Sequence, residues 1–392
     1  MAQSEITRRK KKKDDKWKPD VEGHHEDHHF NLNADEEAIK NYQFIIHVDD
    51  DPTKDPMYDQ KQDLLDECKK LLGTTLSGKR PLNIAVLGPP GCGKSAFLNT
   101  VFASLSNDRW REHAKHGSFS SIGKQVTRRL KSYKKEVYYR ETDTVLMPTF
   151  IDMTGFENEG SKLNRELLKL ILKGKMKENE LLSDVIEYGK KYGGNALRIK
   201  YSSRPVYKRV DRIIAVCSCN PLSNLPRALF ETIAEIASNK DITVYGVMTH
   251  ADAFSTEDTI TEKEANFRHL LGIPDTRFVR IKNYCSDVDP THAYLKTVIP
   301  TLDVPVLKLM TQVLPREDND DVEPEPDPED IKLDYVYRYW KHASLLVVII
   351  LVFLFGTLTW FSIAIIISLI IVSSLVFFWK GQEVLTQLNF FE

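Results

Sequence analysis

Between about residue 81 and residue 315, short apolar runs alternate with segments of helical spacing. Leu82 to Leu87 is apolar and β-branched and reads as a buried strand; Ser95 to Phe102 follows with the spacing of a helix. Further strands are expected over 145–151, 213–216, 243–248 and 277–282. Two helical patterns, over 161–173 and 179–191, occupy a long segment between the 145–151 and 213–216 strands. This alternation predicts an α/β fold, a mainly parallel sheet covered by helices on both faces, with ligands at the C-terminal ends of the strands. Ahead of it, over 41–80, Leu64, Leu65, Leu71 and Leu72 keep a helical rhythm that stops at Gly73, the pattern of a lead-in helix.

Outside that body the pattern changes. Residues 1–40 are polar and carry the basic run Arg8 to Lys13, so they read as a disordered tail. The stretch 316–333 is acidic and spaced by prolines, the composition of a linker. From Ala343 to Trp379 no residue is charged. As one straight helix that run would be roughly 55 Å long, against a hydrocarbon core of about 30 Å. Trp340, Trp360 and Trp379 are spaced by about one bilayer thickness of helix, and Lys341 and Lys380 flank the run. The expectation is therefore C-terminal transmembrane helices within 334–380. They would form either a hairpin of two spans, about 341–358 and 362–379, or a single tilted span. A tail, 381–392, follows. On this reading the lipid bilayer is a partner and the location is a membrane, with the folded domain in the cytosol.

Composition adds little that is specific. The chain has 392 residues, a formal net charge of −2 and five cysteines. No nucleic-acid partner is expected from that balance, and the odd cysteine count without an apolar N-terminal signal fits a reducing compartment. Cys217 and Cys219 lack the spacing and partners of a zinc site and read as core residues. His24, His25, His28 and His29 fall in the polar tail and their role stays open. The segment 158–205 is rich in Lys and Arg. It is either a solvated helical face or a surface for an effector or for self-association.

The chemistry concentrates in one loop. Gly88-Pro89-Pro90-Gly91-Cys92-Gly93-Lys94-Ser95 sits between the first strand and the helix that begins near Ala96, the context of a P-loop. Backbone N–H groups from Gly91 to Ser95 can cradle a β-phosphate at the helix N-terminus. Pro89 and Pro90 have no N–H but lie where the loop donates least. Lys94 would bridge the β- and γ-phosphates and Ser95 would ligate Mg²⁺. The 145–151 strand runs into Asp152-Met153-Thr154-Gly155. Asp152 is placed to hold Mg²⁺ through water, and the Gly155 N–H to report the γ-phosphate. The 243–248 strand ends in Thr249-His250-Ala251-Asp252, where the Asp252 carboxylate can accept both N–H groups on the edge of guanine. The 277–282 strand leads to Asn283-Tyr284-Cys285-Ser286, a loop for the face of the base. The expected ligands are GTP or GDP with Mg²⁺.

Whether the nucleotide is cleaved is a separate question. Phe156 stands where many GTPases have a water-orienting Gln. Thr127 is the candidate for a switch hydroxyl on Mg²⁺ and the γ-phosphate, although Ser118, Ser120 and Ser121 carry the same group. Arg128 or Arg129 could supply charge to a transition state. Two functions compete: a slow GTPase or switch, and a GTP-bound scaffold with negligible turnover. A third, ATP hydrolysis, draws on the Gly-Pro-Pro-Gly opening and on His250, where most GTPases have Lys.

Taken together these motifs resemble the interferon-induced protein forty-four family, a branch of P-loop GTPase-like proteins. The likeness rests on Gly88-x4-Gly93-Lys94-Ser95, on Asp152 to Gly155 followed by Ile171-Leu172-Lys173-Gly174, on Thr249-His250-Ala251-Asp252, and on Asn283-Tyr284-Cys285-Ser286 with Asp289-Pro290. It spans about residues 56 to 314. It implies a guanine-nucleotide domain and a role in innate immune or stress responses. The basic tail, the acidic linker and the apolar C-terminal run have no counterpart in the family pattern.

Overall fold

The computed structural model describes residues 51–107, 110–115, 129–153, 162–202, 204–221, 223–251, 257–284, 298–317, 320–321, 331–332, 339, 342–351 and 360–387. Among them six strands form one sheet: β1 (Asn83–Leu87), β2 (Lys131–Tyr133), β3 (Thr149–Asp152), β4 (Arg212–Ser218), β5 (Thr243–Thr249) and β6 (Phe278–Arg280). Their order is β2-β3-β1-β4-β5-β6. Neighbours run parallel except β2, which is antiparallel to β3. β4 is buried along its whole length, as a central parallel strand with both faces covered must be.

Period-two alternation sorts the side chains of β1 between two cores. Ala85 and Leu87 join one with Ile151, Ile213 and Ala215; Ile84 and Val86 join the other with Phe150, Ile214 and Val216. The second core is closed by helices α1 (Tyr58–Leu72), α2 (Lys94–Ser106), α3 (Lys135–Tyr138) and α9 (Pro300–Val313). The first is closed by α4 (Lys162–Leu172), α5 (Leu182–Tyr192), α6 (Gly194–Ser202), α7 (Arg227–Ser238) and α8 (Glu257–Leu271). The α/β part of the expected fold is therefore present, helices on both faces included. The lead-in helix α1 contributes Leu65, Cys68 and Leu72 to the second core.

Some boundaries differ from the sequence pattern. The strand expected over 145–151 begins only at Thr149. Pro148 has no N–H to give the ladder, and its carbonyl accepts the Tyr138 hydroxyl at 2.6 Å. Val145 instead bridges antiparallel to Thr74. β2 and α6 were not anticipated, being a three-residue edge strand and a nine-residue helix with weak periodicity. Cys217 and Cys219 are buried with free thiols, as the pattern suggested.

At the N-terminal ends of the strands, charged side chains close the sheet. Arg80 pairs bidentately with Asp211 at 2.6 and 2.8 Å, and Arg212 pairs bidentately with Asp320, both contacts at 2.8 Å. Asp320 belongs to the acidic segment, so the start of that segment is docked on β4. Most of the remainder lies outside the described residues, as does the N-terminal tail with its histidines.

The transmembrane expectation is overturned. Among the described residues no helix is long and apolar enough to cross a membrane. The hairpin, the single span, the bilayer partner and the membrane location read from the uncharged run are accordingly not carried further.

Candidate functional site

The order of the sheet fixes where a ligand should lie. β3 and β4 flank β1 on opposite sides, so a crevice opens beyond the C-terminal end of β1. The Gly88–Ser95 loop fills that place. Close approach explains its first glycine: a Cβ on Gly88 would lie 2.2 Å from the Val216 carbonyl oxygen of β4. Gly93 is left-handed at φ 83°, and a Cβ there would come within 3.1 Å of Thr249 Oγ1. Helix α2 starts at Lys94, so the first-turn N–H groups point back into the loop. Ala96 is buried in that first turn.

Lys94 is buried at the loop, its Nζ donating to the carbonyls of Pro89 at 2.8 Å and Gly88 at 3.2 Å. The loop segment that contains the two prolines thus supplies acceptors for the lysine. Ser95 Oγ donates to Asp152 Oδ2 at 3.2 Å. Asp152 is 1% exposed, and its Oδ1 has no hydrogen-bond partner among the described residues, although the Met153 N–H also acts on the carboxylate. Burial drives its pKa up to about 6, with the nearby Lys94 charge and the Ser95 bond opposing. A buried carboxylate with a free oxygen, beside a serine hydroxyl, is a hard-oxygen pair that fits Mg²⁺, an ion that takes one or two protein oxygens and fills its other positions with phosphate and water. No group of three or more His, Cys, Asp or Glu that could hold a metal occurs among the described residues, and such a group is not what this ion needs.

Thr249 joins the end of β5 to the Gly88–Ser95 loop. Its Oγ1 donates to the Cys92 carbonyl at 2.7 Å. His250 follows in a left-handed conformation, φ 58°, with ring Nδ1 2.9 Å from Ser218 Oγ and 3.1 Å from Thr249 Oγ1. Asn283 and Tyr284 are buried beyond β6, and the Tyr284 N–H donates to Thr100 Oγ1 of α2 at 3.0 Å. Cys92, though in the loop, is no nucleophile: burial raises its thiol pKa, and the thiol donates to the Val216 carbonyl.

The fold therefore brings together Gly88, Pro89, Pro90, Gly91, Cys92, Gly93, Lys94, Ser95, Ala96, Asp152, Thr249 and His250, with Asn283 and Tyr284 attached through α2. Arg129 goes elsewhere. Its Nη1 donates to the Asn179 carbonyl at 2.9 Å, and its backbone bridges Leu181, so it fastens the basic segment to the start of β2. Thr127, Arg128, Gly155 and Asp252 lie outside the described residues. Within the basic segment, Lys169 pairs with Glu166, Arg204 with Glu180 and Lys208 with Glu178, while Lys200 sits over the Tyr188 ring. Sequence reasoning missed Thr100, Ser218, Lys61 and Asp303. The last two had a signal: Lys61 shares the apolar face of α1 with Leu65, Cys68 and Leu72, and Asp303 interrupts an apolar run in α9.

No protein-family model matches the chain, and no curated protein matches it. The likeness to the interferon-induced protein forty-four family rests on the motifs alone.

Proposed function

We propose that this chain is a Mg²⁺-dependent P-loop nucleotide-binding protein that selects guanine. One observation carries the reading: at the switch point of a parallel sheet, Ser95 Oγ meets Asp152 Oδ2 at 3.2 Å while the buried Asp152 Oδ1 has no partner. A buried carboxylate that Ser95 and the Lys94 charge compensate only in part is unfavourable in a fold that has no use for it. The cation would supply charge neutralisation for the phosphates and link them to these two residues. Lys94 would leave the Gly88 and Pro89 carbonyls, or share them, to meet the β- and γ-phosphates. Guanine selection rests on Asp252 by its sequence pattern, supported by the anchoring of Thr249 to the loop.

Turnover is proposed to be slow or negligible. Phe156 cannot orient a water, and the Arg129 guanidinium is engaged by Asn179. That second fact favours a GTP-bound switch or scaffold over a rapid enzyme. The test is a titration of the full chain with labelled GTP, competed by ATP, with phosphate release followed in the same sample. Wild type should bind GTP with Mg²⁺, and both Lys94→Ala and Asp252→Ala should lose it. Preference for ATP, with Asp252→Ala harmless, would overturn the guanine assignment.

A further inference from the structure

Behind the base side of the site lies a buried charged network that the proposed binding does not itself require. Lys61 Nζ of α1 is 2.8 Å from Asp303 Oδ2 of α9, and both side chains are fully buried. Asp303 Oδ1 accepts the Ser104 hydroxyl of α2 at 2.7 Å and the Tyr284 hydroxyl at 3.1 Å. The Tyr284 oxygen in turn accepts the Ile299 N–H at 2.7 Å. The Tyr284 N–H and the Asn283 side-chain amide both meet Thr100 Oγ1, at 3.0 and 3.3 Å. Asn283 Nδ2 is buried and has no hydrogen-bond partner among the described residues.

A buried ion pair is seldom a source of net stability; apolar residues of similar size commonly do as well. What it does supply is a fixed direction. Asp303 can take one position only, set by the Lys61 ammonium on one oxygen and by two hydroxyls on the other. Tyr284 is thereby held at its ring end by Asp303 and at its backbone end by Thr100. Asn283, its chain neighbour, is held with it, one amide atom still unused.

We propose that the Lys61–Asp303 pair is a positioning element of the nucleotide site, and that it fixes the Asn283-Tyr284 loop against the base. Helix α1, which precedes the P-loop in the chain, is then part of what discriminates bases. The inference rests on the guanine-nucleotide reading above and adds residues to it. Lys61 and Asp303 touch no ligand; they act through Tyr284.

The experiment uses the full chain with Mg²⁺ and two probes, GTP and inorganic tripolyphosphate. The second has the phosphates and no base. Wild type is compared with Tyr284→Phe, which keeps the ring and loses the hydroxyl, and with the double variant Lys61→Met with Asp303→Leu, which removes both charges together. GTP affinity is expected to fall about tenfold in each, the loss of a hydrogen bond or two, while tripolyphosphate affinity stays at the wild-type value. A thermal melt accompanies each variant; should the double variant not fold, Tyr284→Phe carries the test. An unchanged ratio of GTP to tripolyphosphate affinity, or an equal loss for both, overturns the positioning role. Wild type that binds GTP no better than tripolyphosphate overturns the guanine reading itself, and this inference with it.

Discussion

The two ends of the central strands are built on opposite principles. At the N-terminal ends Arg80 meets Asp211 and Arg212 meets Asp320 in bidentate pairs, and Asp211 also accepts the Asn83 N–H at 2.8 Å. Carboxylate and guanidinium satisfy one another. At the C-terminal ends Asp152 is just as buried but faces no such partner; its Oδ1 is unbonded, and Lys94 turns to backbone carbonyls instead. At one end each buried carboxylate is paired with a guanidinium, with Arg212 Nε left over among the described residues. The other is held in a state that a bound anion and cation would complete.

That contrast is broken most forcefully at the closed end. Asp320→Asn removes the bidentate partner of Arg212, which is 2% exposed, and leaves it only the half-exposed Glu317 carboxylate at 3.3 Å. Losing one partner of a buried pair typically removes about 3–5 kcal/mol. Chemical denaturation of the variant should show a loss near the lower end of that range, because Glu317 still pairs with Arg212. Nucleotide binding, measured well below the transition, should be unchanged, because the pair lies at the other end of the strands. A variant with unaltered stability would show that the docked acidic segment contributes nothing to the fold.

Asp320 also marks what the sequence could and could not reveal. The Gly88–Ser95 loop stood out because its glycines, lysine and serine fall at the fixed offsets that phosphate binding would demand, and the fold places it at the C-terminal end of β1. The core strands were legible because both faces are buried. Asp320 read as linker because its composition is that of a solvated acidic stretch; the arginine it answers is Arg212, remote in the chain. Lys61 and Asp303 were hidden in the same way, each looking like an exception within its own helix until the fold set one against the other. Arg129 was one of two candidates for transition-state charge from its place near Thr127, yet its guanidinium donates to the Asn179 carbonyl. The uncharged C-terminal run read as membrane spans from its length, its tryptophan spacing and its flanking lysines, yet no helix among the described residues is long and apolar enough to cross a membrane.

The open end gives a prediction of opposite sign. The Asp152 carboxylate has its pKa raised by burial to about 6 from an ordinary 3.8. Its charged form is therefore disfavoured in the fold. Between about 6 and 3.8 the folded state holds a proton that the unfolded chain has released, so this group makes stability rise as pH falls through that window. Above it the penalty is on the order of 3 kcal/mol. Asp152→Asn should stabilise the ligand-free protein at neutral pH by up to that amount and flatten this part of the pH profile. It should weaken Mg²⁺-dependent GTP binding at the same time. Denaturation with and without nucleotide at several pH values separates the two effects. A destabilised Asp152→Asn protein would mean that the site is closed after all.

The smallest effect is expected at His250, and it sharpens the contrast. Four non-glycine residues have positive φ among the described residues: Asn107, Asn179, Asp241 and His250. Short Asn and Asp side chains enter that region readily, and Asn107 caps the end of α2. His also enters that region more often than most residues, but its bulkier ring makes the conformation costlier where β5 reaches the Gly88–Ser95 loop, and strain of this kind collects at functional sites. His250→Asn keeps a residue suited to the conformation and removes the ring from Ser218 and Thr249. The lost contacts and the relieved backbone should nearly cancel, leaving stability within about 1 kcal/mol of wild type. GTP affinity should fall a few-fold, because Thr249 loses a neighbour while it still holds the Cys92 carbonyl. Isothermal titration beside a thermal melt distinguishes this from a purely structural role, in which stability would fall and affinity would not. The open end of the sheet would then be the place where a strained histidine is kept for what it does to the ligand rather than to the fold.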